Sequence, residues 1–385
     1  MSQSGNMFYR LVTDRQRLRI VLVSLFAFCI LIVSLSFFAL SIGKPYMGAM
    51  LSMNNQGWAV RNVDANGLAI QAEIQEGDRP IEVNGQPAQE FLEKYEKAGV
   101  VFGQLIRELI VVDDQGQLKS VNLKEGSPSG GSVTELATWF FVCLIFWIIG
   151  FYVFFKRPEN IAALLLCLGG LTLGLVFSAN MAAIRAIPTA IYLEIAAAII
   201  GPWLLLHFFL ILPEGRTWLR NNSLVYLIYL PAAIALVLFP LIGYADGQPV
   251  PWFRTARLLG YIAGFLSAAG VMVFNYFHTA SVRTRQQMKI VLISCLAAVV
   301  PFLLLSLIPG AISDQTILPP GFSILFIVFI PLGMGYAVVT QKLMDIDVII
   351  RRSAIYGLTT VVMAAILSVA IFFAIVFQES LGVVK

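Results

Sequence analysis

The groups best placed to do chemistry in this chain are a few ionisable side chains set within or beside long apolar runs. Glu194 lies about two turns into the run Pro188–Leu212, and Arg185 lies just before it. A charge at membrane depth is costly, so such residues default to a functional role. The two either pair through the bend at Pro188 or line a pocket open to the exterior, and Asn180 can join either arrangement. The plainer alternative is a structural pair near the interface, with Arg185 reaching toward water. His207 stands near the far end of the same run, where an interhelical hydrogen bond is the commoner role. His278 ends another run. There is no HExxH and no GxSxG, and two such distant histidines supply no metal site. Cys29, Cys143, Cys167 and Cys295 each sit inside an apolar run and form no CxxC, which reads as small buried hydrophobes. No catalytic residue, metal or cofactor is expected.

A second constellation lies near the end, in Tyr336-Ala-Val-Val-Thr-Gln-Lys-Leu-Met-Asp345-Ile-Asp347-Val-Ile-Ile-Arg351-Arg352. It reads as an apolar run that ends in a short amphipathic connector, residues 341–353. Leu343, Ile346 and Ile350 share one helical face, and Asp347 and Arg351 are spaced to pair. Asp345, Asp347, Arg351 and Arg352 are therefore candidates for passing a signal between helices, with a plain charged re-entry loop as the alternative.

The elements that must position these residues are membrane helices. The chain is 58% hydrophobic and 12% charged over 385 residues, against roughly 25% charged in ordinary soluble domains. A span needs about 20 apolar residues. About nine runs qualify: Ile20–Ile42, Leu136–Phe155, Ile161–Met181, Pro188–Leu212, Leu224–Tyr244, Leu258–His278, Ile290–Ile308, Phe322–Val339 and Ile355–Phe377. The first is too long for a signal-peptide core and is expected to stay as an anchor. Arg10, Arg15, Arg17 and Arg19 precede it, which places residues 1–19 in the cytoplasm by the positive-inside rule. Alternate loops then carry Lys156-Arg157, Arg216 and Arg220, Arg283, Arg285 and Lys289, and Lys342 with Arg351-Arg352, in agreement with one topology. The bundle occupies residues 134–340, a final span 354–378 and a tail 379–385. Nine spans leave that tail outside, as expected of a complete protein with an external end or of a longer one cut before a tenth span. The basic residues are scattered, which argues against nucleic-acid binding; the lipid bilayer is the expected partner.

Residues 45–126 differ, with most of the acidic residues and short alternating stretches. Trp58–Val63, Pro80–Val83, Ile106–Asp113 and Gln117–Leu123 read as strands, with Ala69–Ile74 as a further candidate. Asn84-Gly85 and Asp114-Gln115-Gly116 read as turns, and Pro87–Ala98 reads as a helix. Residues 127–133 are a flexible linker. The expected fold is thus mainly α, a polytopic helix bundle with one small α+β domain inserted after the first span.

Two stretches carry a resemblance. Gly67-Leu68 with Glu76-Gly77-Asp78-Arg-Pro-Ile-Glu-Val-Asn84-Gly85 resembles the central part of bacterial PDZ domains. The resemblance implies a PDZ-like fold that takes a peptide as an added strand, its carboxylate held in a glycine-rich loop. That loop would fall at Asn54–Gly57, which makes Gly57 and Trp58 candidate ligand residues; only Gly57 matches, and a spacer role is the alternative. The block Asp345–Arg352, with Leu210-Ile-Leu-Pro213-Glu214, is similar to segments of ComP-type bacterial membrane sensor histidine kinases. Their order of one span, a PDZ-like insertion, a bundle and this block matches the whole layout. The resemblance implies the sensory region of a two-component kinase in the bacterial cell membrane, homodimeric, taking a peptide or lipidated-peptide ligand. The phospho-accepting histidine and nucleotide-binding box of such kinases have no counterpart in the sequence. A membrane scaffold that holds clients for a separate protease is the alternative. A transporter is disfavoured by the lack of an inverted repeat.

Overall fold

The computed structural model describes residues 3–54, 57–96, 100–212, 223–242, 244–245, 248–249, 251–279, 281–309, 317–318 and 320–340. Two compact units divide the chain, Met1–Val338 and Val339–Lys385, and nearly all described residues belong to the first. The expected connector at 341–353 and the span Ile355–Phe377 lie outside the described residues.

Seven described helices are long and apolar enough to cross a membrane: Ile20–Ser41, Gly130–Lys156, Ile161–Ala183, Pro188–Ile211, Thr255–His278, Thr284–Ser306 and Gly321–Thr340. The chain is a multi-pass membrane protein. The expected span Leu224–Tyr244 is instead a shorter apolar segment, Val225–Phe239. It begins as a 3-10 turn over Ser223–Tyr229 and becomes α-helical only from Leu230. Pro231 stands where the two meet; having no N–H, proline suits a helix's first turn but not its interior.

The described elements run as follows. Helix α1 (Gln3–Ser41) leads into a domain of β1 (Ala49–Asn54), β2 (Gly57–Val63), α2 (Leu68–Gln71), β3 (Arg79–Val83), β4 (Gln86–Pro87), α3 (Ala88–Glu93), β5 (Val100–Val101), β6 (Glu108–Val112) and β7 (Leu118–Asn122). The helices α4 (Gly130–Lys156), α5 (Ile161–Ala183) and α6 (Pro188–Ile211) follow, then α7 (Leu230–Ile242), α8 (Pro251–His278), α9 (Val282–Phe302), the single turn α10 (Pro320–Ser323) and α11 (Phe329–Thr340).

Small residues let α4 and α5 approach closely. A Cβ on Gly170 would lie 2.8 Å from the Phe146 carbonyl oxygen, and one on Gly174 would strike the Trp147 indole. In lipid no hydrophobic gain drives helices together, so such close van der Waals packing supplies the association. Gly264 of α8 likewise accepts Pro202 of α6, 2.6 Å from where a Cβ would stand. The last carbonyls of α6 have no partner within the helix. Asn275 of α8 supplies one, donating from Nδ2 to Phe209 O at 2.7 Å and to Leu212 O at 2.9 Å.

The domain is two antiparallel sheets, ordered β2-β1-β5 and β4-β3-β6-β7. Leu51, Ile74, Val83, Leu92, Val101, Ile106, Leu109 and Val111 form its buried core. Asn84 and Gly85 make the two-residue β3–β4 turn, with φ of 57° and 75°, the left-handed pair that such hairpins require. Ala69–Ile74 does not extend as a strand. Leu68–Gln71 is a single helical turn, closed by Ala72 N–H to Leu68 O and Ile74 N–H to Ala69 O. Its amides at Leu68 and Ala69 donate outward to Tyr46 O and Met47 O, at 2.9 and 3.0 Å. The helix read over Pro87–Ala98 is shorter, Ala88–Glu93.

The β6–β7 hairpin is organised by Asp113. Its Oδ1 accepts from Gln115 N at 2.9 Å and Gln117 N at 2.8 Å, and Lys119 bridges it to Asp78 at 3.5 and 3.3 Å. The Gln117 amide, with Gln115 and Lys119 adding to it, holds the Asp113 carboxyl below the usual carboxylate range. A group with a depressed native pKa stabilises the fold above its unfolded value, near 4, and loses that contribution as pH falls through the native value. Acid unfolding of the domain should therefore steepen below about pH 4, and Asp113→Asn should flatten that part of the profile. Superimposable pH profiles for the two proteins would refute this role.

Candidate functional site

Arg185 lies between α5 and α6, in a turn that its neighbours make tight. Ala186 adopts a φ of 59°, and the amides of Arg185, Ala186 and Ile187 return to carbonyls of Ala182 and Ala183. A left-handed alanine costs about 1 kcal/mol or more, and the surrounding bonds hold it. The turn drives the Arg185 side chain into the protein, where the residue is only 5% exposed.

Every part of the guanidinium finds a partner. Nε donates to Lys44 O at 3.1 Å, Nη1 to Met181 O at 2.8 Å and Nη2 to Ser132 Oγ at 2.9 Å. Its carbon stands 5.2 Å from the centre of the Tyr46 ring, a cation–π distance. These partners belong to different elements. Lys44 and Tyr46 lie in the segment that leads from α1 into the domain, Met181 is in the last turn of α5, and Ser132 is in the first turn of α4. The planar fork of arginine suits such divergent acceptors.

A second layer surrounds this contact. Ser129 caps α4, accepting from Ser132 N at 3.1 Å while its hydroxyl donates to Asn66 O at 3.0 Å. Asn66 also donates from Nδ2 to Glu135 at 3.3 Å, while its own amide donates to Asp64 Oδ1 at 2.9 Å. Burial, then the charges of Asp64 and Glu135, push the Tyr46 phenol upward and keep it neutral. Its hydroxyl lies near Asp64 without meeting hydrogen-bond geometry. Burial lowers the Arg185 pKa, opposed by Tyr46, Glu135 and Asp64; arginine nevertheless stays charged. Beneath these groups the backbones of Gly48 and Gly67 touch, so closely that a Cβ on Gly67 would lie 2.5 Å from Gly48 Cα.

No family model, curated protein or solved structure matches the chain.

The structure separates Arg185 from Glu194. The ion pairs among the described residues are those of Lys119, and Glu194 instead feels the charge of Arg257 on α8. Gly57 and Trp58 begin β2 across the hairpin from Asn54 and Met53, with Gly57 at a φ of 111°. The Trp58 ring packs against the domain core. β1 and β2 thus pair antiparallel up to Asn54 and Gly57, the two described ends of the segment read as a carboxylate loop. The strand β1 has both edges filled, by β2 and β5, whereas β7 ends its sheet. His207 Nδ1 is 2.9 Å from Tyr229 Oη, the interhelical role expected of it. Asp345, Asp347, Arg351 and Arg352 lie outside the described residues. Tyr46, Asp64, Asn66, Ser132 and Glu135 were not singled out from the sequence. Glu135, an acid immediately before the apolar run Leu136–Phe155, was the one available signal.

Proposed function

We propose that the chain is a membrane signal receptor, the sensory region of a two-component histidine kinase, that binds an extracellular peptide or hydrophobic ligand. The observation that carries this reading is the Arg185 contact. One buried guanidinium joins the segment entering the small domain, the start of the helix leaving it, and the end of α5. A ligand that moves the domain must strain or release these bonds, which is how a binding event outside becomes a shift in helix packing. The basic residues before the span Ile20–Ser41 and in alternate loops support a cytoplasmic N-terminus and an extracytoplasmic domain in a bacterial cell membrane. In the PDZ-like reading of the domain, the open edge at β7 offers an added strand its hydrogen-bonding groups, since β1 is already flanked.

The test is capture with the full chain in lipid nanodiscs, presented with the peptide fraction of the growth medium, followed by hydrogen exchange. The expected result is a bound peptide that changes exchange in residues 44–49 and 129–135 together. Capture of a membrane protease and its clients, with exchange at both segments unaltered, would replace the receptor with a scaffold.

A further inference from the structure

Helices α6, α7 and α8 enclose a groove of about 280 Å³ whose lining includes Trp203, Ile234, Ala235, Trp252, Arg257 and Tyr261. Its volume falls just below the ~300–1,000 Å³ of pockets that hold compact ligands, and Ile234 and Trp252 are half exposed along it. A slender chain lying in a side-open furrow fits these dimensions better than an enclosed small molecule.

The groove has a defined polar end. Ile191 and Ile195 of α6, Phe239 of α7 and Phe253 of α8 cluster together, so the start of α6, the end of α7 and the start of α8 meet there. Arg257 is six residues beyond Pro251, the first residue of α8, or ~9 Å along the axis. Trp252 and Tyr261 flank it. Trp, Tyr and Arg at this depth are the residues that meet lipid headgroups. Trp203 and Ala235 lie farther along their helices, toward the hydrocarbon.

Arg257 makes no hydrogen bond or ion pair among the described residues. Its guanidinium stacks 5.8 Å from the Tyr261 ring centre. Glu194 lies within electrostatic reach without forming an ion pair. Among the described residues the guanidinium donors therefore remain open, beside an apolar furrow that faces lipid. The complementary molecule carries an oxyanion at headgroup depth and an apolar tail below it.

We infer that this groove binds one phospholipid, with an acyl chain along Trp203 and Ala235 and the phosphate on Arg257. The site is independent of the receptor reading, because it shares no residue with the Arg185 contact. The full chain, reconstituted in vesicles of equal parts phosphatidylcholine, phosphatidylglycerol and diacylglycerol, is transferred to mild detergent and weighed intact by native mass spectrometry. One phospholipid per chain should be retained in preference to diacylglycerol. Arg257→Gln should lower that retention about tenfold, the loss of one charge-assisted contact, and Arg257→Lys should keep most of it. Ala235→Phe should displace the lipid by filling the furrow. Circular dichroism identifies any variant that fails to fold, and the Gln–Lys comparison at the partly exposed Arg257 decides the matter even if Ala235→Phe does. Equal retention by the native chain and Arg257→Gln, or diacylglycerol held as well as phospholipid, would overturn the assignment.

Discussion

Arg185→Ala is expected to loosen the domain from the helices by about 2–4 kcal/mol, the range for breaking buried hydrogen bonds to a charged group. The change does more than remove three bonds. It leaves Ser132 Oγ and two carbonyls without this donor, beside the carboxylates of Glu135 and Asp64, whose charges the guanidinium offsets. Unpaired buried groups account for most of the cost. Arg185→Lys should recover less than half, because a single ammonium cannot reach three divergent acceptors and stack on Tyr46 at once. Faster hydrogen exchange at residues 44–48 and 129–135, with a thermal midpoint lowered by more than about 5 °C, is the expected signature in both variants. A midpoint unchanged in Arg185→Ala would show that the contact contributes nothing to stability, and the junction would then be held by Gly48, Gly67 and the α4 cap alone.

Gly67→Ala should be comparably severe for a different reason. The Gly67 φ is –80°, open to any residue, so backbone preference is not at issue. The obstacle is steric: the new methyl would lie 2.5 Å from Gly48 Cα and 3.0 Å from Met47 O. Both are backbone atoms, and both are fixed by bonds, Met47 O to the Ala69 amide at 3.0 Å and Gly48 O to the Asp64 amide at 2.7 Å. Nothing can yield as a flexible side chain would. Overpacking costs about 1–3 kcal/mol where neighbours adjust, and about 3 kcal/mol or more is expected where they cannot. Gly130→Ala is the control, since a Cβ there meets nothing within 4 Å; its effect should stay within about 0.5 kcal/mol. Denaturant unfolding of the two variants decides it. Equal midpoints would mean that the domain shifts to admit the methyl.

The apolar runs were legible because composition alone marks a helix that lipid must solvate. Where a run mixed its signals the reading slipped. Leu224–Tyr244 is apolar enough, yet its first part winds as a 3-10 turn up to Tyr229, and hydropathy is blind to that. In the domain, turn chemistry was the dependable guide: Asn84-Gly85 and Asp114–Gly116 sit in turns as expected. Strands without β-branched residues were not. Ala49-Met-Leu-Ser-Met-Asn54 lacks them and escaped notice, although it is the middle strand of its sheet. Ala69–Ile74 was read as a candidate strand, but Leu68–Gln71 winds as a turn, with Leu68 and Ala69 buried and their amides bonded to Tyr46 O and Met47 O. At the site, the sequence marked Arg185 as a costly charge and could not supply its partners. Ser132 is 53 residues away and Lys44 is 141. The nearer acid, Glu194, was the natural local candidate, and the tight turn at Ala186 sends the arginine elsewhere.

The way the small domain is hung on the helices bears on how such a protein can change over generations. Its entry, at Lys44, and its exit, at Ser132, touch the same side chain. Two ends held this close form a socket that a fold with adjacent termini can occupy, because the entropy of closing the loop grows only slowly with its length. The helices need not be redesigned when the insertion is lengthened, trimmed or exchanged, provided the newcomer leaves a carbonyl and a hydroxyl where the guanidinium expects them. Substitutions can therefore accumulate in the insert, while the residues around Arg185 stay under a separate and stricter constraint.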